Sequence, residues 1–226
     1  MFDRIYMKLV IGNKNYSSWS LRPWLLLRQF NLDFEEIQVS LRAEGIRERI
    51  GKYSPTGKVP VLLDQGLAIW DSLAICEYVS EHYLDGKGWP QDSGRRAEAR
   101  SVSAEMHSGF TALRSEMPMN CRARRQAQVS DAARRDIDRI AQMWEYCSSK
   151  YSGSGPWLFG GFSIADCMFA PVVLRFLTYG IKISEPGKAY MDTMTNNSHL
   201  IDWIAAAKQE KEFLSANETG TDMLSE

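Results

Sequence analysis

Cysteine is scarce in this chain of 226 residues: there are four, Cys76, Cys121, Cys147 and Cys167. None forms a C-x-x-C pair and no Cys/His spacing suits zinc, which argues against a thioredoxin-type redox centre after the first strand and against a structural metal site. Cys76 and Cys167 fall within apolar helical patterns and read as small core residues. Long apolar runs are missing as well. Nothing approaches the ~20 residues needed to span a bilayer. The start of the chain, Met1 to Lys8, has no apolar signal core; it reads as a short extension, with Met7 an alternative start. A cytoplasmic protein is therefore expected. Charge of one sign is lacking too. With 27 Lys and Arg against 28 Asp and Glu, the formal net charge is -1, so neither nucleic acid nor a membrane is expected as a partner. Arginines do cluster at Arg122, Arg124, Arg125, Arg134 and Arg135, but acidic residues follow closely, and the cluster reads as a solvated helix face. No repeat and no low-complexity tract is present.

What is there changes character along the chain. Lys8 to Ile11 is a short apolar run ending at Gly12, as expected for a buried strand. Leu21 to Phe30 has helical length. Ile37, Val39 and Leu41 alternate with polar residues, a strand signature. Arg42 to Ile50 reads as a short irregular helix or loop. Val59 to Leu63 and Leu67 to Trp70 read as strands about an Asp64-Gln65-Gly66 turn, and Leu73 to Tyr83 as a helix. The order βαβ, connector, ββα implies a parallel pair with a right-handed crossover and an added hairpin, hence a mixed sheet. A Gly- and Pro-punctuated break follows at residues 85–90. Beyond it no convincing strand appears, and helices are expected over Ala97–Met117, Ala132–Tyr151, Ile164–Tyr179 and Leu200–Phe213. The expected organisation is an α/β domain over 1–86, a linker over 87–92 and an all-α domain over 93–226.

Three segments carry chemistry. The first, residues 13–23, joins the first strand to the first helix. Proline is best tolerated in a helix's first turn, so Pro23 predicts an N-cap no earlier than about Ser20. Ser20 then reads as the cap, and Ser17 and Ser18 lie in the turn ahead of it, where free N–H groups and the helix dipole favour an anion such as a thiolate. The second, Ser54 to Leu63, puts Pro60 at the start of a strand. A cis Val59–Pro60 bond would turn the Val59 backbone toward a peptide-like ligand. The third is Asp71-Ser72, where a strand gives way to a helix. Besides capping, Asp71 suits a ligand ammonium and Ser72 a carboxylate, the two charges of an α-amino acid head group.

Taken together, these segments resemble the soluble, cytosolic-type glutathione transferases over nearly the whole chain. The S-S-x-S-x-R stretch at Ser17–Arg22 is most similar to the zeta class, the S-P-x-G-K-V-P run to the family's cis-proline loop, and Asp71-Ser72 to its γ-glutamyl site. Phe159 to Asp166 resembles the segment before the family's buried sixth helix, with Ser163 and Asp166 fitting a capping box. The resemblance implies a thioredoxin-like N-terminal domain, an all-helical C-terminal domain and a homodimer. It implies glutathione as co-substrate, no metal, and conjugation of the glutathione thiolate to a small electrophile. Ser17 or Ser18 would meet the thiol. Lys58, Val59, Pro60, Asp71 and Ser72 would bind the rest of glutathione, and Tyr16 is a further possible hydroxyl donor. His107 would lie near the cleft. Trp19 stands where zeta enzymes carry cysteine, which counts against the alternative, cis-trans isomerisation of maleylacetoacetate. A non-catalytic binding role for glutathione or apolar ligands is the third reading.

Overall fold

The computed structural model describes residues 7–223. The first half is built on a four-stranded sheet. Strand β1 (Met7–Ile11) pairs parallel with β2 (Phe34–Gln38) and antiparallel with β3 (Val61–Asp64), which pairs antiparallel with β4 (Leu67–Ile69). The spatial order is β2-β1-β3-β4, the mixed sheet expected of the βαβ-ββα pattern. Side chains alternate across a strand, and β1 uses both faces. Leu9 and Ile11 join the main core, whereas Val10 meets Val39, Ile50 and Val61 on the opposite face. That second face is covered by α2 (Ile46–Gly51). The first face holds α1 (Ser18–Gln29) and α3 (Ser72–Tyr83).

Helix α1 starts earlier than Pro23 predicts. Its N-cap is Ser17, not Ser20, and Pro23 lies inside it. The Ser17 Oγ accepts the Ser20 N–H and donates to Ser20 Oγ, which also accepts the Gly12 N–H. This serine network fixes the turn. An interior proline costs a helix about 3 kcal/mol. Burying Leu21, Leu25, Leu26 and Leu27 completely offsets it, at roughly 2 kcal/mol for each side chain.

The second half is helical: α4 (Ser93–Ser108), α5 (Thr111–Glu116), α6 (Asp131–Tyr151), α7 (Ile164–Thr178), α8 (Glu185–Thr195) and α9 (Ser198–Gln209). The single helix expected over 97–117 is two, because Phe110 adopts a left-handed conformation at φ 60 just after Gly109. Helix α8 was not anticipated. Pro186 lies in its first turn, where its missing N–H is harmless. The last helix ends at Gln209 rather than 213. A short antiparallel pair, β5 (Arg125–Gln126) with β6 (Thr221–Asp222), appears where no strand was expected. Helix α7 runs through the middle, packed against α1 and α4. As expected, it opens with a capping box. The Asp166 carboxylate accepts the Ser163 N–H at 2.8 Å, and also the Leu158 N–H at 3.3 Å. Among the described residues, no helix is long and apolar enough to cross a membrane.

Candidate functional site

A cleft of about 330 Å³ opens at the ends of β1, β3 and β4. Three segments line it: Thr56 and Lys58–Pro60 ahead of β3, Trp70–Ser72 between β4 and α3, and Trp19 on the first turn of α1. The sequence-selected residues Lys58, Val59, Pro60, Asp71 and Ser72 thus share one cleft. The Val59–Pro60 bond is cis.

Asp71 caps α3 as expected, its Oδ1 accepting the Leu73 N–H at 2.8 Å. Its other oxygen lies 3.1 Å from His107 Nε2. Burial alone would raise the Asp71 carboxyl. The His107 hydrogen bond and the Leu73 N–H outweigh it and hold the group below the ordinary aspartate range. The Ser72 hydroxyl is buried and, among the described residues, has no hydrogen-bond partner. A buried, unsatisfied hydroxyl beside a helix N-terminus is the donor a ligand carboxylate needs. Lys58 is exposed on the rim and makes no ion pair among the described residues.

None of the three candidate hydroxyls is among the residues lining the cleft, and their hydrogen-bond partners differ. Tyr16 does not line the cleft: its hydroxyl donates to Glu218 at 2.6 Å and accepts from Arg122 at 2.7 Å. Burial, followed by the Glu218 hydrogen bond, raises its pKa. Its one proton is thus committed to Glu218. Ser17 spends its proton on Ser20. Ser18 instead accepts a hydrogen bond from Arg175 Nη2 at 3.2 Å, so its own proton is uncommitted.

Sequence reasoning missed the surroundings of Trp19. The Arg22 guanidinium lies 4.3 Å from the Trp19 ring centre and the Arg114 guanidinium 4.7 Å, while the His107 ring meets it edge-on at 5.2 Å. Such cation–π contacts add attraction that grows with desolvation. Burial, together with repulsion from Arg114 and Arg175, lowers Arg22 to about 9. Burial, together with Arg114, lowers Arg175 to about 10. Both remain cations at neutral pH. A lone arginine inside the apolar run of α7 was the available signal for Arg175. Arg114 carried none.

The arginines at 122–125 correct another expectation. They lie in a loop and in β5, not on a helix face. Arg125 pairs with Glu218 at 2.6 Å and Arg122 reaches the Glu210 and Glu212 carbonyls. Arg134 and Arg135 do lie exposed on α6.

Residues 16–82 match the family model described as "Glutathione S-transferase, N-terminal domain". A probable maleylacetoacetate isomerase of Caenorhabditis elegans is 36% identical over 96 residues, 42% of this chain and 44% of that one. The alignment therefore spans less than half the length of that relative. A maleylacetoacetate isomerase of Pseudomonas aeruginosa is 27% identical over 182 residues, covering 78% of this chain and 84% of its own. The fold matches a glutathione transferase homologue from Burkholderia, solved with bound glutathione, at a TM-score of 0.70 and 22% identity, covering 90% of this chain and 99% of the other. Domain match and fold together define the class: residues 16–82 carry a glutathione S-transferase N-terminal domain, and the chain as a whole has the fold of a solved glutathione transferase homologue.

Proposed function

We propose that the cleft binds glutathione and that the chain transfers the glutathione thiolate to small electrophiles. The observation carrying this reading is the pairing of an ionised carboxylate at Asp71 with the buried, partnerless Ser72 hydroxyl. The Asp71 charge complements the ammonium of a γ-glutamyl head, and the Ser72 hydroxyl donates to its carboxylate. Lys58 meets the glycine carboxylate at the other end, and the Val59 backbone pairs with the cysteinyl unit between them. Ser18 donates to the sulfur. Ser17, favoured by motif alignment with the zeta class, acts instead as the helix cap that holds the turn. In the reaction the S–H proton leaves to solvent. The sulfur lone pair forms the S–C bond and the electrophile's leaving group departs with its bonding pair. The enzyme's part is one lowered pKa and one positioned nucleophile.

Isothermal titration with glutathione tests the binding step. Saturable binding is expected, and Ser72→Ala should weaken it about tenfold, the value of one charge-assisted hydrogen bond. No heat on titration of the folded wild type would refute the reading. The two named isomerases favour a second one, in which the thiolate adds reversibly and is returned. Turnover of a cis-dienoic diketo acid at catalytic glutathione, with no glutathione consumed, distinguishes it from conjugation. Trp19, in place of the zeta-class cysteine, weighs against it. A homodimer and a cytoplasmic location complete the proposal. Gel filtration at twice the chain mass is the expected result for the first.

A further inference from the structure

Arg22 is buried on α1, and among the described residues its Nε and Nη1 have no hydrogen-bond partner. A buried charge without a partner is strongly disfavoured, and here two more cations are close. Arg114 shares the Trp19 ring with Arg22. Arg175, buried on α7, spends Nη1 on the Met117 carbonyl at 2.9 Å and Nη2 on Ser18 Oγ. The nearby acids are engaged elsewhere. Asp71 is held by His107 and the Leu73 N–H, and Asp136, behind Arg114, accepts the Leu113 N–H. The other ionisable groups facing the cluster are the thiols of Cys76, Cys121 and Cys167 and the phenol of Tyr179. Burial pushes all four up, so they are neutral at physiological pH. Three guanidiniums from α1, α5 and α7 therefore converge behind Trp19 and Ser18 with less anion than cation.

A serine hydroxyl has one proton and two lone pairs. Because Arg175 is a donor only, it occupies a lone pair and leaves the Ser18 proton free to point elsewhere. A thiolate accepts and cannot donate. Resting on the glutathione reading above, we infer that Arg175 is a positioning residue for thiolate formation: it fixes Ser18 as a donor toward the glutathione sulfur and, with Arg22 and Arg114, supplies the positive charge that the thiolate offsets. The S–H bond breaks heterolytically, the electron pair stays on sulfur and the proton goes to water. No arginine acts as a base.

The test is ultraviolet titration of bound glutathione thiolate in the full chain, alongside affinity for S-methylglutathione, which has no thiol proton. Arg175→Met should raise the bound thiol pKa by about one unit, a roughly tenfold loss of thiolate below that pKa. Affinity for S-methylglutathione should stay within about threefold. Ser18→Ala should give a similar rise, and the double variant should add little to either, because the two act as one unit. Arg175→Lys should fall between. If Arg175→Met does not fold by circular dichroism, Arg175→Lys and Arg114→Gln carry the test. An unchanged thiol pKa in both, or fully additive effects of Ser18 and Arg175, overturns the inference. A wild type that binds S-methylglutathione without lowering the thiol pKa of bound glutathione overturns it alone. A wild type that binds neither overturns the glutathione reading beneath it.

Discussion

At the scale of single residues, neighbouring serines divide two tasks. Ser17 caps α1 and ties it to Ser20, while Ser18 faces Arg175. Ser17→Ala should therefore lower stability by about 1 kcal/mol, the worth of an N-cap, in urea titration. Ser18→Ala, which takes away the acceptor of a buried Arg175 N–H, should lower stability by about 1–3 kcal/mol and cut kcat/KM for conjugation roughly tenfold, in step with a one-unit rise of the thiol pKa, whereas Ser17→Ala should leave the thiol pKa in place. A reversed pattern would exchange the roles assigned here. Asp71 supports a pH prediction. Its pKa is lowered, so it stays ionised as pH falls through the ordinary aspartate range, and its contribution is lost only below that range. Glutathione affinity should accordingly persist below about pH 4 and fail at a higher pH in His107→Ala, which removes a partner holding the carboxylate charged. Titrations at stepped pH would read this directly. The S-S-x-S-x-R motif made the serines visible in sequence, but which of them caps depends on hydrogen-bond directions that the letters do not carry.

At the scale of elements, the segment after α9 is a strap across the loop between β1 and α1. Glu210 accepts the Lys14 and Asn15 N–H groups at 2.6 and 3.0 Å, and Glu212 accepts from Asn13 and Ser40. Glu218 gathers Tyr16, Asn120 and Arg125. These are loop groups that no sheet or helix satisfies, and buried backbone donors need partners. Truncation after Gln209 should lower Tm and remove hydrogen-exchange protection from Lys14 and Asn15, while leaving β1 protected. Glu218→Ala should cost about 2 kcal/mol, the worth of a charge-assisted hydrogen bond, since it leaves Arg125 with only the exposed Asp222 as a carboxylate partner. Helix α7 offers a second check. Burial pushes the Asp166 carboxyl up to about 7, although Ser163 and Leu158 donate to it. A raised pKa means the folded state binds the proton more tightly, so this contribution is full below about pH 4 and is lost as pH rises through about 7. Asp166→Asn should flatten the stability profile between those limits in chemical denaturation.

At the scale of the whole molecule, the two halves share one apolar core. Leu9, Leu21 and Leu25 of the sheet half join one buried cluster with Phe169, Val173 and Trp203 of the helical half. Trp203 also donates to the Lys14 carbonyl at 2.9 Å and meets Trp24 edge-on. The small cluster of Val10, Val39, Ile50 and Val61 is the sheet half's own, but the main core is common to both halves, so unfolding should be one cooperative transition. Scanning calorimetry should show a single peak, and Phe169→Ala should shift it downward by about 4 kcal/mol of stability. Two resolved peaks would show that the halves unfold independently.

The sequence by itself determined the βαβ-ββα order of the first half, the mixed sheet, the Asp71-Ser72 cap and the Ser163–Asp166 box. These are local: each depends on residues a few positions apart, and proline, glycine and capping residues state their geometry in one dimension. Only the tertiary structure decided that Tyr16 turns to Glu218, that α4 and α5 part at Phe110, and that Arg175 meets Ser18 from 157 residues away. Those outcomes rest on packing between distant elements, where a polar side chain takes whichever partner burial leaves within reach.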